Sequence, residues 1–411
     1  MKSDVEAYRI AATGIYLLLK PEYEKADIMW RAGQTFDTVI DYFDEIDTSD
    51  AESFIKIVFD RYGKTAGFWY DDFGWWAVSA LKASQRPYVR GTTKDGFDSI
   101  AADCWNFMTY ATGIEGVECS ATIHPKGAPN VFEIWRGTET GDKMFAQLKP
   151  RVAGGVWNRD WYWPPYGGYN SCNCVPYEPY AMDALGGFQN TVTNALYLIL
   201  ASRLSQARPA AQIYRNAADR EMAFLAAWFS MASRDERLLA AVGDSGVYVR
   251  ERVGYYANGD QVYQYRPPLA WAGDQGLILA GLLDYAGLPK TDQSLIDTAS
   301  KLLEGSRAYL TGPDGILRNW YDWKNASAPG GDTGNYMTGS GVYMRYVLYA
   351  YRTNDTLKAQ IASPDFRQFL KTNADACLTP PELDAGDPNG NVTILTNYLA
   401  TLVAAAVVLA E

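Results

Sequence analysis

The sequence predicts an all-α fold: an (α/α)6 toroid of six helical hairpins, with long aromatic-rich loops and minor β-hairpins. Three observations predict it. Apolar residues recur at helical spacing in twelve segments, short turns join these in pairs, and no Ser/Gly-rich or charged linker divides the 411 residues. The chain therefore reads as one domain, 1–411, although at about 150 residues per domain length alone would allow two or three. Hydrophobic residues make up 48% and charged residues 21%, a globular balance that excludes collagen, coiled coil and disorder.

The elements follow in order. Ser3 and Glu6 suggest a capping box, with Tyr8, Ala11, Ala12, Ile15 and Leu19 on one face behind it. A second helix is expected over 28–46, burying Phe36, Val39, Ile40 and Phe43, and a third over 51–62. The fourth starts near Asp72 and runs through Trp76, Ala77 and Leu81; the fifth covers 97–111. Helical period is then lost from 112 to 184, where Gly, Pro, Tyr and Trp dominate and 131–136 reads as a short strand. A stretch of that length without helix is uncommon and usually functional.

Helices resume over 185–204 and 209–231. The break at 233–268 suggests a hairpin that pairs 247–253 with 263–266. Later helices are expected over 269–286, 292–309, 336–351, 364–376 and 392–410, with Ser363 as N-cap and Pro364 at the first helical position of the fourth of these. The apolar stretch 394–410 contains Thr396, Asn397 and Thr401, so it reads as a buried helix and not as a membrane span.

Composition narrows the chemistry. A net charge of −11 makes a nucleic-acid partner unfavourable. The single histidine, His124, excludes an H-E-x-x-H zinc site and leaves a Ser-His-Asp triad with little support. There is no G-x-S-x-G elbow and no P-loop. Cys172 and Cys174 are too close for the usual zinc spacing, so they read as free thiols or a local loop staple. No metal or cofactor is expected. The opening Met1-Lys2-Ser3-Asp4 runs straight into a helix, which fits a cytoplasmic chain, or a secreted or periplasmic one whose leader has been removed. With 29 Tyr and 13 Trp, the chain has more aromatic surface than a core requires, which points to a ligand with flat apolar faces.

Five blocks carry candidate chemistry. In Phe68-Trp69-Tyr70-Asp71-Asp72-Phe73-Gly74-Trp75-Trp76, two carboxylates stand where a loop becomes a helix, and a helix N-terminus favours negative charge. The pair suits a nucleophile beside an acid, because retaining glycosidases hold their carboxyls about 5–5.5 Å apart. An ordinary N-cap acid pair is the bland alternative. Gly154-Gly155-Val156-Trp157-Asn158-Arg159-Asp160-Trp161-Tyr162-Trp163 concentrates rings that could stack on sugars or simply pack a loop. Gly186 to Leu196 offers Asn190 and Asn194 as hydroxyl ligands or as capping residues. Trp271-Ala272-Gly273-Asp274-Gln275-Gly276 and Asp332-Thr333-Gly334-Asn335-Tyr336 put polar groups at helix starts.

In this order the blocks resemble glycoside hydrolase family 76, the endo-α-1,6-mannanases. The resemblance rests on Trp69-Tyr70-Asp71-Asp72-Phe73-Gly74-Trp75-Trp76, on Gly154-Gly155-Val156-Trp157, on Gln189-Asn190-Thr191-Val192-Thr193-Asn194, on Asp274-Gln275-Gly276, and on Gly341-Val342-Tyr343-Met344-Arg345-Tyr346. It spans about residues 30 to 350. Gln189, Thr193, Asp274 and Asn158 stand where the family has Lys, Ser, Asn and Trp. The resemblance implies retaining hydrolysis of α-1,6-mannan, with Asp71 as nucleophile and Asp72 as general acid/base. It also implies stacking on Trp69, Trp75, Trp157 and Trp271, and hydroxyl ligands from Asn190, Asn194, Asp274 and Gln275. The expected partner is a polysaccharide or oligosaccharide, the chain acting as a monomer. Three other readings remain: a hydrolase of a related non-mannan glycan, which the departures from the family motif allow, a glycan receptor that holds sugar without cutting it, and a polysaccharide lyase using Arg159, Tyr162 and Arg345. The net negative charge opposes the lyase's anionic substrate.

Overall fold

The computed structural model describes residues 2–27, 29–62, 70–110, 112, 155–156, 190–230, 238–251, 256–258, 261–263, 270–321 and 336–411. Thirteen helices lie within them. The first seven are α1 (Lys2–Lys25), α2 (Met29–Glu45), α3 (Ala51–Tyr62), α4 (Tyr70–Ser84), α5 (Gly91–Tyr110), α6 (Thr191–Ala207) and α7 (Gln212–Phe229). After a strand-rich segment come α8 (Ala272–Ala286), α9 (Ser294–Leu310), α10 (Gly339–Thr353), α11 (Asp355–Ile361), α12 (Pro364–Ala376) and α13 (Pro388–Val408).

The even-numbered helices α2 to α10, together with α13, pack in a closed cycle, each against the next and α13 back onto α2. The others lie outside: α3 against α2 and α5, α5 on α4, α7 on α6, α9 on α8, α11 on α10, α12 on α13, and α1 also on α13. Inner and outer helices therefore alternate along the chain, which is the (α/α)6 toroid. Because an outer helix returns the chain after every inner one, the six inner helices run parallel. Contacts agree: early Gln34 of α2 meets Arg345 of α10 through a 2.7 Å hydrogen bond, and late Asp41 meets Arg352 at 2.9 Å.

Close packing of the ring explains two of the motif glycines. A Cβ at Gly276 would lie 2.9 Å from the Tyr343 Cα, and one at Gly341 would lie 2.8 Å from the Asn397 Cα. Any side chain there would push neighbouring inner helices apart. Between α13 and α2 the close approach is made instead by a 2.8 Å hydrogen bond joining the Thr35 and Thr396 hydroxyls. α13 is the one helix among the described residues long and apolar enough to cross a membrane, but 83% of that stretch is buried inside the toroid, as the sequence reading expected.

Several boundaries differ from expectation. α1 begins at Lys2, so Ser3 lies inside the helix and bonds Asp4 instead of forming a capping box. α5 begins at Gly91, not at 97. The sixth outer member is two helices, because Asn354 caps α11 by accepting from the Leu357 N–H at 3.1 Å, and Ser363-Pro364 then starts α12. Ser363 is the N-cap in position, without a side-chain capping bond.

The strands also pair differently. β1 (Leu239–Val242) pairs antiparallel with β2 (Gly246–Val249), and β3 (Tyr256–Asn258) with β4 (Gln261–Tyr263), so the expected pairing of 247–253 with 263–266 is replaced. β5 (Ala270–Trp271) pairs with β6 (Trp320–Tyr321). The expected strand at 131–136 lies outside the described residues.

Candidate functional site

The parallel inner ring gathers six helix N-termini at one end. Partial positive charge converges there, which favours anions and developing negative charge. Asp71 and Asp72 occupy the first turn of α4 at this end. Asp71 is half-buried, and one carboxylate oxygen lies 3.2 Å from the Asp72 backbone N–H; Asp72 is 8% exposed. Trp75 follows one turn later, on the same side of the helix.

Trp75 is the centre of an aromatic cluster. Its ring centroid is 6.4 Å from that of Trp30 in α2, and 6.4 Å from that of Trp271, which it meets edge-on. Trp271 precedes α8 and donates its indole N–H to the Tyr336 carbonyl at 2.9 Å, its ring edge-on to Tyr336. Trp75 and Trp271 are themselves nearly buried, whereas Trp30 and Tyr336 are only partly so. The surface available for stacking is therefore shared with Trp30 and Tyr336. Trp30 was missing from the sequence-predicted site; its only signal was an indole in the first turn of a helix.

Below the cluster lies a buried charge network. The Arg345 guanidinium carbon sits 5.9 Å from the Trp75 ring centroid. Arg345 donates to the Gln34 carbonyl at 2.7 Å and to the Thr38 hydroxyl at 3.0 Å; its Nε lies 3.1 Å from an Asp37 oxygen, an ion pair without hydrogen-bond alignment. Lys82 bridges Asp37 at 2.6 Å and Asp41 at 2.8 Å. Burial pushes the Asp37 carboxyl up, but Arg345, Lys82 and Arg203 outweigh it and hold Asp37 well below the usual carboxylate range. Arg345 is thus committed to α2, which removes it as a clamp for uronates and takes support from the lyase reading.

Two predicted hydroxyl ligands turn out to be backbone clamps. Asn194 accepts from the Val156 N–H at 2.7 Å and donates to the Val156 and Asn190 carbonyls at 3.1 and 2.7 Å. Gln275 accepts from the Val249 N–H at 2.7 Å and donates to the Val249 and Trp271 carbonyls at 2.7 and 2.9 Å. Both side chains are fully buried, and their amide hydrogens and carbonyl oxygens are spent on the backbone. Each amide imitates a strand edge and pins a connecting segment to an inner helix.

Asn190 is the N-cap of α6, accepting from the Thr193 N–H at 3.2 Å. Asp274 is buried in the first turn of α8. Gly155 has φ +78°, and the Phe224 ring stands where a Cβ would project, so this motif position requires glycine. Trp69 and Trp157, like Arg159, Tyr162, Gln189, Cys172 and Cys174, lie outside the described residues. Among the described residues, no group of three or more His, Cys, Asp or Glu side chains is placed to hold a metal.

No family model matches the sequence, and no curated protein matches it. Solved structures do. An α-1,6-mannanase of Salegentibacter sp., made inactive by replacing two consecutive aspartates with alanine and bound to α-1,6-mannotetrose, superposes with a TM-score of 0.60 at 13% identity, covering 98% of this chain and 99% of that one. Dfg5 from Chaetomium thermophilum, in complex with glucosamine, gives 0.59 at 16% identity, covering 98% and 91%. A family 76 α-mannanase from Bacteroides thetaiotaomicron gives 0.52 at 13% identity, covering 97% and 95%. With nearly the whole of each chain superposed, the likeness establishes the architecture: the chain has the fold of the family 76 α-mannanases.

Proposed function

We propose that the protein is a retaining glycoside hydrolase that cleaves α-mannosidic linkages, α-1,6-mannan foremost. One observation carries the reading. Adjacent carboxyls, Asp71 and Asp72, stand in the first turn of an inner helix at the end where all six N-termini converge, one turn from an indole cluster. Support comes from the mannanase of the same fold, whose inactive variants lack two consecutive aspartates. Sugars expose C–H faces to rings such as Trp30, and their hydroxyls suit carboxylates.

In this mechanism the Asp71 carboxylate attacks the anomeric carbon and forms a glycosyl ester as the glycosidic bond breaks. Asp72 gives its proton to the departing oxygen. It then takes a proton from water, which attacks the same carbon and releases Asp71. The converging helix ends favour the carboxylates that each half-reaction regenerates.

The test is mass-spectrometric product analysis on α-1,6-mannan, branched mannan, α-glucans and uronate polymers. Wild type should release mannan fragments, and Asp71→Asn and Asp72→Asn should each lose about 10²–10⁴-fold in rate. Full activity in both variants would overturn the roles. Glycan binding without product from wild type would favour the receptor reading, which the departures at Gln189 and Asp274 motivate.

A further inference from the structure

A cavity of about 600 Å³ opens beside the mouth of the toroid, between the end of α12, the start of α13 and the segment leading into β6. Its wall includes Arg31, the neighbour of Trp30, and Met337, the neighbour of Tyr336. The Arg31 guanidinium carbon lies 5.4 Å from the Trp30 ring centroid, so the cavity adjoins the aromatic cluster through Arg31. Its volume falls within the range typical of small-molecule sites.

The lining is mixed in a particular way. Tyr398, Ile394 and Leu317 supply apolar faces, while Glu382, Asp384 and Asp387 stand at the exposed loop before α13. Among the described residues, the wall sets one cation, Arg31, against these three carboxyls. The back is fixed by amide clamps of the kind made by Asn194 and Gln275. Asn373 accepts from the Leu317 N–H at 2.9 Å, and Asn397 accepts from the Gly341 N–H at 3.1 Å and donates to the Met337 carbonyl at 2.6 Å. A wall held this way is preformed, which lowers the ordering cost of binding.

We propose that this cavity is a second saccharide subsite, which takes a further neutral hexose unit of the glycan lying across Asp71 and Asp72. The inference rests on the function proposed above. A hexose needs an apolar face for its C–H groups and acceptors for its hydroxyls, and the cavity offers both. The excess of carboxyls disfavours a uronate.

The experiment uses the full chain, with Tyr398→Ala and Glu382→Gln as separate variants. Glu382 is exposed, so its substitution leaves folding intact even if Tyr398→Ala does not. Cleavage kinetics and calorimetric binding are measured on α-1,6-mannotriose, linear α-1,6-mannan and branched mannan. The expected result is a KM and Kd raised about tenfold on at least one polymer, with kcat unchanged and mannotriose kinetics within about twofold of wild type. Wild-type cleavage with both variants unaltered on every substrate would overturn the subsite and leave the hydrolase reading standing. Binding that the variants weaken, without cleavage by wild type, would support the cavity and sink the hydrolase. A wild type that neither binds nor cleaves any of the three would overturn both.

Discussion

The two ends of the inner ring both bury carboxyl groups, and they stabilise them by different means. Away from the N-terminal end, Asp37 at the middle of α2, Asp41 a turn later and Asp284 in the last turn of α8 are held by cations. Lys82 and Arg345 hold Asp37, Lys82 and Arg352 hold Asp41, and Arg203 holds Asp284 at 2.7 Å, with the Tyr349 hydroxyl as a further donor. At the N-terminal end, Asp71, Asp72 and Asp274 lie in first turns, where the backbone itself supplies positive charge. An ion pair fixes a carboxylate as part of the frame. A helix end lowers the cost of a carboxylate's charge through the backbone. The contrast teaches that the same residue type, in the same ring, meets side-chain cations or a helix N-terminus according to its position along the helix, and the catalytic role proposed for Asp71 and Asp72 belongs to the second setting.

The largest expected effect breaks this contrast at the cation-held end. Asp37→Ala takes the paired carboxylate from buried Arg345 and leaves Lys82 with Asp41 alone, and removing one partner of a buried pair costs about 3–5 kcal/mol. Urea unfolding should read that loss, whereas Asp71→Asn should stay within about 1 kcal/mol of wild type. Equal losses at the two sites would end the distinction. Acid sharpens it. The Asp37 carboxyl is depressed in the folded chain, so its contribution is present above the unfolded value, near 4, and is lost as pH falls through the folded one. Asp284 runs the opposite way: burial raises it more than Arg203 and Tyr349 lower it, so its contribution is present below the unfolded value and lost as pH rises through the folded one. Wild-type stability should therefore fall with acidification below about pH 4, and Asp37→Ala should flatten that fall.

An intermediate effect separates clamps from ligands. Gln275→Leu keeps the bulk but leaves the buried Val249 N–H and carbonyl without the amide, at a cost of about 1–3 kcal/mol. Midpoints in urea should drop while kcat on mannan holds. A collapse of kcat with unchanged stability would return Gln275 to the list of hydroxyl ligands.

How much of this was legible in the sequence depends on what each residue touches. The number of helices and their pairing by short turns follow from local periodicity, so the toroid could be read from the count, while which helices lie inside could not. α11 was missed because Asp355–Ile361 is a two-turn helix, too short to show a period. Leu239–Val242 lacks polar alternation, so nothing marked it as a partner of Gly246–Val249. α5 starts six residues early, through Gly91, Thr92, Thr93 and Gly96, which are poor helix formers and gave no helical signal. The Asp pair stood out because adjacent acids ringed by aromatics are rare. Asn194 and Gln275 did not resolve, because an amide near a helix start looks the same whether it binds a hydroxyl or a distant backbone.

Trp30 carries the smallest and most discriminating expectation. Its indole is partly exposed in the first turn of α2, beside Trp75 and under the Arg31 guanidinium, whose carbon lies 5.4 Å from the ring centroid. A stacking contact of this kind contributes about 0.5–1.5 kcal/mol, so Trp30→Ala should raise KM on α-1,6-mannan roughly two- to tenfold. Because the ring is not deeply packed, thermal stability should change little, and kcat should hold if the sugar it touches is distant from the breaking bond. Trp30→Phe, which keeps a smaller flat face, should recover part of the KM. A variant that loses stability without changing KM would show that the indole serves the frame, as Trp75 and Trp271 largely do, and the stacking surface would then have to be sought at Tyr336.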